Sequence, residues 1–499
     1  MTTRFQAGRS RALWLAVAFA LPASVAPKVS AEDGAASKAV AAGKALLKAG
    51  DESADRGETT EAVIRYKGAF EALLPGMRKL PFRHEVKRDV TARENLQALL
   101  VKEIDQEMTP AQFHANEVGM KALGLLAPDI DLKSVMVKVY AEEIAAFYDT
   151  RTKTMHLIKE PEERAKKAPT FLERLMGKTG GFDKDENKTV IAHELTHALA
   201  DQNFDLDAMQ KAAKDDDDRS LALSALIEGE ATLTMIGAQM NDWSGTDVRK
   251  IPAATLDRTF NFLMPLMPMT GGKSLREAPV ILSETMLFPY LRGLVFCARL
   301  TNDGGWDALD RAYRQPPLST EQVIHPEKYS ALPDPPTAID LGILDAGRGW
   351  KEAGRNVVGE MQIAVLLRGH GGKVAAAGWD GDQYAVFEGA QGRLGLVWLT
   401  NWDRAEDARE FHDGYSRFQT SKLGKGVGQP DAYPDALRRP HRETVFAVER
   451  RGLDVAVVEG FSPDLTDSLI DAAFRSKKSE KTHAHPAPKA NATAPGDTD

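Results

Sequence analysis

The chain has 499 residues, 43% of them hydrophobic and 27% charged, an ordinary composition for a folded protein with several apolar cores. Its net charge of −8 argues against nucleic-acid binding, which calls for a basic surface. Cys297 is the single cysteine; it excludes an intrachain disulfide framework and reads as a buried, inert thiol.

Residues 1–31 read as a cleaved signal peptide. Arg4, Arg9 and Arg11 give a basic start, and Ala12 to Leu21 form an apolar core too short for a comfortable membrane span. Val29-Ser-Ala31 then places small residues ahead of Glu32. The expected product is secreted or periplasmic in a bacterial envelope, with an uncleaved N-terminal anchor as the alternative. Residues 32–125 read as a helical region. Ala39 to Leu74 carries Ala and Leu at helical spacing around Gly50-Asp51 and Arg56-Gly57, and Pro75 closes the run. Ala62, Tyr66, Ala69 and Phe70 give it a resemblance to one tetratricopeptide-type hairpin. A lone repeat cannot bury its own face, so it should pack on its neighbour, and it offers a possible surface for a protein partner.

From Glu143 to Ile158, apolar positions flank Asp149-Thr-Arg-Thr-Lys153, predicting strand, polar turn, strand with His156 on a strand face. Thr189 to Ala200 predicts a mostly buried helix containing His193-Glu194-Leu-Thr-His197. Imidazoles four residues apart lie on one helix face, where one Zn²⁺ can take both. The carboxylate between them can then take a proton from water acidified by the metal. The simpler alternative is a helix with two hydrogen-bonded histidines, but three polar groups in this order are costly to bury without a common partner. Such a site needs a third protein ligand and keeps a fourth position for water. Leu221 to Met235 predicts another apolar helix, interrupted by Glu228 and Glu230. These lie about 200° apart on a helix, so only one can face a metal; the other faces solvent or accepts from a ligand imidazole. Asp215 to Asp218 reads as a solvated helix entry, with a calcium loop as the alternative. No second apolar run looks long enough to span a bilayer.

His193-Glu194-Leu-Thr-His197 followed by Glu228-Gly-Glu-Ala resembles the gluzincins, zinc peptidases with two His and one Glu as ligands. The resemblance implies one Zn²⁺ on His193, His197 and Glu228, with Glu194 as general base. Where that family has an Asp to hold a zinc imidazole, this chain has Thr232, and Asp201 is a possible substitute. The resemblance also implies that an edge strand of the 143–158 hairpin holds extended substrate through backbone hydrogen bonds. Pro289-Tyr290-Leu-Arg-Gly293 is similar to the Pro-Tyr-x-x-Gly segment of aminopeptidase N-like gluzincins, which makes Tyr290 a candidate oxyanion stabiliser; a packed ring is the alternative. The second candidate is His325, in the polar stretch Ser319 to Tyr329 that reads as a loop over the cleft, though this His could equally cap a helix. As a whole the chain resembles a group of exported bacterial HExxH proteins over roughly residues 75–475.

Beyond residue 345 the rhythm changes. Trp379 to Phe387 and Leu394 to Thr400 predict a hairpin, Asp403 to Phe418 a helix, Glu443 to Glu449 and Asp454 to Gly460 two more strands, and Pro463 to Phe474 a helix. This predicts a small α+β sandwich with its helices on one face of an antiparallel sheet. Its acidic Trp379-Asp-Gly-Asp382 segment reads as a turn. The full expectation is α+β: a helical N-terminal region (32–125), a zincin-like metallopeptidase domain (126–345), a C-terminal α+β domain (346–475) and a disordered tail (476–499). The expected activity is zinc-dependent hydrolysis of a peptide or protein substrate, without nucleic acid and without a membrane span after leader cleavage. Two alternatives stand beside it. One is a catalytically silent zincin-fold envelope protein acting as a binding or scaffold module; the other is a structural zinc protein with a fourth ligand closing the site.

Overall fold

A computed structural model describes residues 33–159, 184–263, 273–424, 431–433 and 435–483; the expected leader lies outside them. The fold is α+β. Helices α1 (Asp33–Asp55) and α2 (Thr59–Arg78) form a hairpin that turns at Gly57. The α2 face of Tyr66, Phe70, Leu73 and Met77 shares one core with Ile191, Leu195 and Leu199 of the histidine helix. Pro75 does not close α2. It lies inside the last turn, where a missing N–H costs one bond, and the helix ends at Lys79 in the left-handed region (φ 63).

The region expected to be purely helical also holds a strand, β1 (Lys87–Ala92), before α3 (Arg93–Glu107), α4 (Pro110–Leu123) and α5 (Leu132–Glu143). β2 (Ala146–Asp149) and β3 (Thr154–Lys159) form the predicted hairpin, and the sheet order is β1-β3-β2. β1 runs parallel to β3, pairing Lys87 with Thr154 through Ala92 with Lys159. Its sequence, Lys-Arg-Asp-Val-Thr-Ala, is largely exposed, so it carries no apolar alternation to announce it. β2 is the opposite edge.

Then come α6 (Lys184–Phe204), α7 (Leu206–Ala213), α8 (Asp217–Gln239), α9 (Ala253–Leu263), α10 (Lys273–Glu277) and α11 (Val280–Arg314), the last kinked at Gly304-Gly305. Two helices, α8 and α11, are long and apolar enough to cross a membrane, which corrects the reading that no second run is. They pack on each other in the main core, and α8 carries Glu228 and Glu230. The acidic start of α8 is not simply solvated. Asp215 is exposed, Asp216 caps the helix by accepting from Arg219 N (2.9 Å), and Asp218 is fully buried, accepting from Thr320 N (3.1 Å) and its hydroxyl.

Residues 319–330 form two short helices, α12 (Thr320–Ile324) and α13 (Pro326–Ser330), not a loop. Ser319 caps the first and Pro326 opens the second, as those residue types favour. After β4 (Thr337–Asp340) and β5 (Lys351–Asn356) come α14 (Gly359–Leu366) and α15 (Lys373–Ala376), then β6 (Trp379–Glu388), β7 (Leu394–Trp402) and α16 (Ala405–Leu423). β8 (Asp431–Tyr433), β9 (Ala436–His441), β10 (Thr444–Arg451), β11 (Asp454–Phe461), α17 (Pro463–Phe474) and β12 (Lys477–Glu480) complete the described chain. Seven strands form an antiparallel sheet ordered β5-β6-β7-β11-β10-β9-β8.

The helices of this sheet do not share a face. Tyr384, Val386, Leu396 and Trp398 pack with Phe411 and Tyr415 of α16. Their neighbours Ala385, Phe387, Val397 and Leu399 pack with Leu469 and Ile470 of α17 on the other side. Strands apolar on both faces demand cover on both. The acidic 379–382 segment belongs to β6, where Asp382 is buried and accepts from Val358 N (2.9 Å), Gly359 N (2.8 Å), Trp379 Nε1 (2.8 Å) and Trp398 Nε1 (3.1 Å). Residues 477–480, expected to start the tail, are strand β12 paired with β4. That ladder is a backbone interaction and needs no apolar side chain; residues 484–499 lie outside the described chain.

Candidate metal centre

Residues 189–200 of α6 are buried without interruption, and the one-turn spacing brings His193 and His197 together. Their Nε2 atoms are 3.0 Å apart, and Glu228 Oε2 on α8 lies 3.1 Å from His193 Nε2 and 3.5 Å from His197 Nε2. Three ligands at zinc's ordinary distances would be separated by about 3.3 Å along the edges of a tetrahedron. The observed triangle therefore has the size of a zinc ligand set. Among the described residues no fourth His, Cys, Asp or Glu joins this cluster.

Electrostatics agree with the geometry. Burial by itself would raise the Glu228 carboxyl, but the imidazoles of His197 and His193 outweigh it and hold the group far below the usual carboxylate range. Burial likewise opposes a charged His197, yet the Glu228 carboxylate prevails and raises it to about 9. These groups are thus arranged around a shared positive charge, a role a proton or a metal can fill.

Glu194 lies beside them and is buried. Burial pushes its carboxyl up, against the pull of the two imidazoles and of the nearby Tyr148 backbone of β2. Its Oε2 has no hydrogen-bond partner among the described residues, the state expected of an oxygen kept for a substrate or a water. His193 Nδ1 and Thr232 Oγ1 are also buried without partners among the described residues. Asp201 does not support an imidazole. It accepts from the Tyr148 hydroxyl (2.8 Å), Lys153 Nζ (3.0 Å) and Leu206 N (3.1 Å), tying the β2–β3 hairpin to α6. His156 is a strand-face residue, its ring stacked on Phe147 at 4.7 Å.

Tyr290 reaches the cluster. Its ring stacks at 6.1 Å from that of His193, and its hydroxyl lies near the Glu228 carboxylate. Burial first, and the nearby Glu228 and Glu194 charges next, push that hydroxyl well above its ordinary pKa, so it stays a proton donor. Two glycines make this meeting possible. A Cβ on Gly229 would lie 2.2 Å from the Gly293 carbonyl, and one on Gly293 would lie 2.0 Å from Ala225 O. Helices α8 and α11 therefore cross backbone against backbone next to Glu228 and one turn from Tyr290.

Glu230 has a different task. It pairs with buried Arg78 and accepts from the Tyr313 hydroxyl, while Arg78 also meets Asp310 at 2.7 Å. It locks α2 and α11 to α8 and leaves Glu228 alone at the cluster. His325 stands elsewhere: its Nε2 is 3.0 Å from Glu360 Oε1, linking the α12–α13 junction to α14, and it does not line the cleft. Hydrogen bonding to Glu360 raises its pKa.

The His193, His197 and Glu228 cluster opens into a cleft of about 550 Å³. Its walls include the β2 segment Ala146–Tyr148, Asp217 and Ser224 of α8, and Gln362 of α14. Asp217 and Gln362 carried no signal in the sequence; one sits in an acidic run and the other in a separate sheet-rich region, and only packing brings them here. Residues 348–469 match a family model described as a domain of unknown function (DUF8575), which takes in β5 to β11, α14 to α16 and part of α17. No curated protein and no solved structure matches the chain.

Proposed function

We propose that the chain is an exported, zinc-dependent peptidase with a zincin-like catalytic arrangement. The observation that carries this reading is the convergence of His193 Nε2, His197 Nε2 and Glu228 Oε2 at zinc-ligand spacing beside the unpartnered Glu194 Oε2, on the wall of an open cleft. His193, His197 and Glu228 would hold the ion. When bound, zinc supplies Lewis acidity that polarises a carbonyl and makes water acidic near neutral pH.

The chain's own groups account for the rest. Glu194 Oε2 is free to take a proton from the attacking water and return it to the leaving amine, and its raised pKa brings it closer to the working range of such a shuttle. The Tyr148 backbone of the edge strand lies next to the Glu194 carboxylate, so the base and the substrate-binding backbone adjoin. Outermost in its sheet, β2 offers backbone groups to an extended peptide. The Tyr290 hydroxyl donates to the oxyanion that forms on the scissile carbonyl. Replacing Glu194 by glutamine tests the reading: the variant should bind zinc as the parent does and hydrolyse nothing. Chelator-sensitive cleavage retained by that variant would refute it.

A further inference from the structure

The cleft has two kinds of wall. The polar one carries the metal centre. The other is apolar and comes from helices outside the α6–α8 pair: Phe113 and Met120 of α4, Met136 and Val139 of α5, Leu282 and Met286 of α11. Phe113, Met120, Met136 and Leu282 are backed by a small separate core around Leu126, Leu132 and Ile281, while Val139 and Met286 pack against the main core. Phe113, Met120, Met136 and Met286 are only half-buried, and their remaining surface lines the open volume. Three thioether side chains at such a wall can re-pack around guests of different shape.

We propose that this methionine-walled chamber selects substrates by seating one bulky, flexible apolar side chain, such as Leu, Met or Phe, and that it rejects an acidic side chain at the same position. The inference rests on the peptidase reading. An extended peptide along β2 sends alternate side chains to opposite faces, so one chamber reads a single residue and leaves its neighbours unselected. A carboxylate entering it would lose its water among thioethers and a ring with no partner in return.

The test uses zinc-loaded full-length protein carrying Glu194→Gln, which holds peptide without turning it over. Fluorescence polarisation reads binding of labelled peptides that differ at one residue (Ala, Leu, Met, Phe or Glu), with that residue moved stepwise along the sequence. At one register the Leu, Met and Phe peptides should bind at least about tenfold more tightly than the Ala peptide, with the Glu peptide weakest. Adding Met136→Ala should shrink that ratio while zinc content stays at one ion per chain; Met286→Gln provides the same check if the first variant folds poorly. Equal binding at every register, or a preference for Glu, overturns the chamber and leaves the peptidase reading standing. Binding of no peptide by zinc-loaded protein overturns both.

Discussion

Replacing Gly293 by alanine separates the packing of the candidate site from its chemistry, because the added methyl meets backbone of Ala225 and no side chain of the cluster. It would sit 2.0 Å from Ala225 O and 2.8 Å from the carbonyl carbon, both backbone atoms that cannot turn aside. Reaching even a tight 3.0 Å contact requires about 1 Å of separation between α8 and α11. Overpacking of this kind costs about 1–3 kcal/mol, and alanine's better helix propensity returns about 1 kcal/mol. The clash is with backbone, so the upper end applies and the net loss should be about 2 kcal/mol. The separation also has to go somewhere. If α11 moves, Tyr290 withdraws from Glu228; if α8 moves, Glu228 withdraws from the imidazoles, and ligand distances tolerate only about 0.2 Å. Denaturant unfolding reads the stability, chelator competition the zinc affinity, and peptide hydrolysis the turnover. Gly68→Ala on α2 is the control, since its Cβ would meet only Leu46 at 3.6 Å, and it should be neutral or stabilising by about 0.5–1 kcal/mol. If Gly293→Ala matches that control in stability, zinc affinity and turnover, the backbone crossing does not set the site.

Glu228→Gln should lose zinc yet keep nearly the stability of the zinc-free parent, whereas Glu230→Gln should keep zinc and cost about 2 kcal/mol by removing one of the two carboxylates that face buried Arg78; metal content and denaturant unfolding read both, and the reverse pattern would exchange their roles. Tyr290→Phe should lower kcat about a hundredfold with zinc retained, while His325→Ala should leave hydrolysis unchanged; steady-state kinetics on one peptide compares them. Burial raises the Asp218 carboxyl from 3.8 to about 8. Between those values the folded chain holds a proton that the unfolded chain has released, so this group's contribution to stability falls as pH rises through the window and is flat above it. Asp218→Asn removes that slope. Its stability relative to the parent should therefore rise between pH 5 and pH 8, and a pH-independent difference would contradict the assigned shift.

Much of the site is visible in the chain because it is local. The one-turn spacing of His193 and His197 and the polar turn at 149–153 are properties of consecutive residues. The choice between Glu228 and Glu230 is not. Helix geometry says only that they point apart; Arg78, 152 residues upstream, takes Glu230. β1 escapes a sequence reading because an exposed edge strand has no apolar rhythm and its partner β3 lies beyond three helices. His325 looked like a cleft residue because polar residues and prolines suggested a loop, but Glu360 draws it to α14. The run Leu396 to Leu399 is buried on both sides of the sheet, so α16 and α17 cover opposite faces instead of the single face expected.

What the sequence by itself determined is the chemistry that repeats within a turn or a hairpin: two imidazoles and a carboxylate on one buried helix, and a strand pair before it. Helix pitch and strand alternation set these without reference to the rest of the chain. Tertiary structure alone decided which glutamate meets the two imidazoles, that Tyr290 rather than His325 lies beside them, and that β2 lines the same cleft as Glu194. Those outcomes depend on how distant surfaces fit, above all on the glycine crossing of α8 and α11. No local period records how closely two helices can approach.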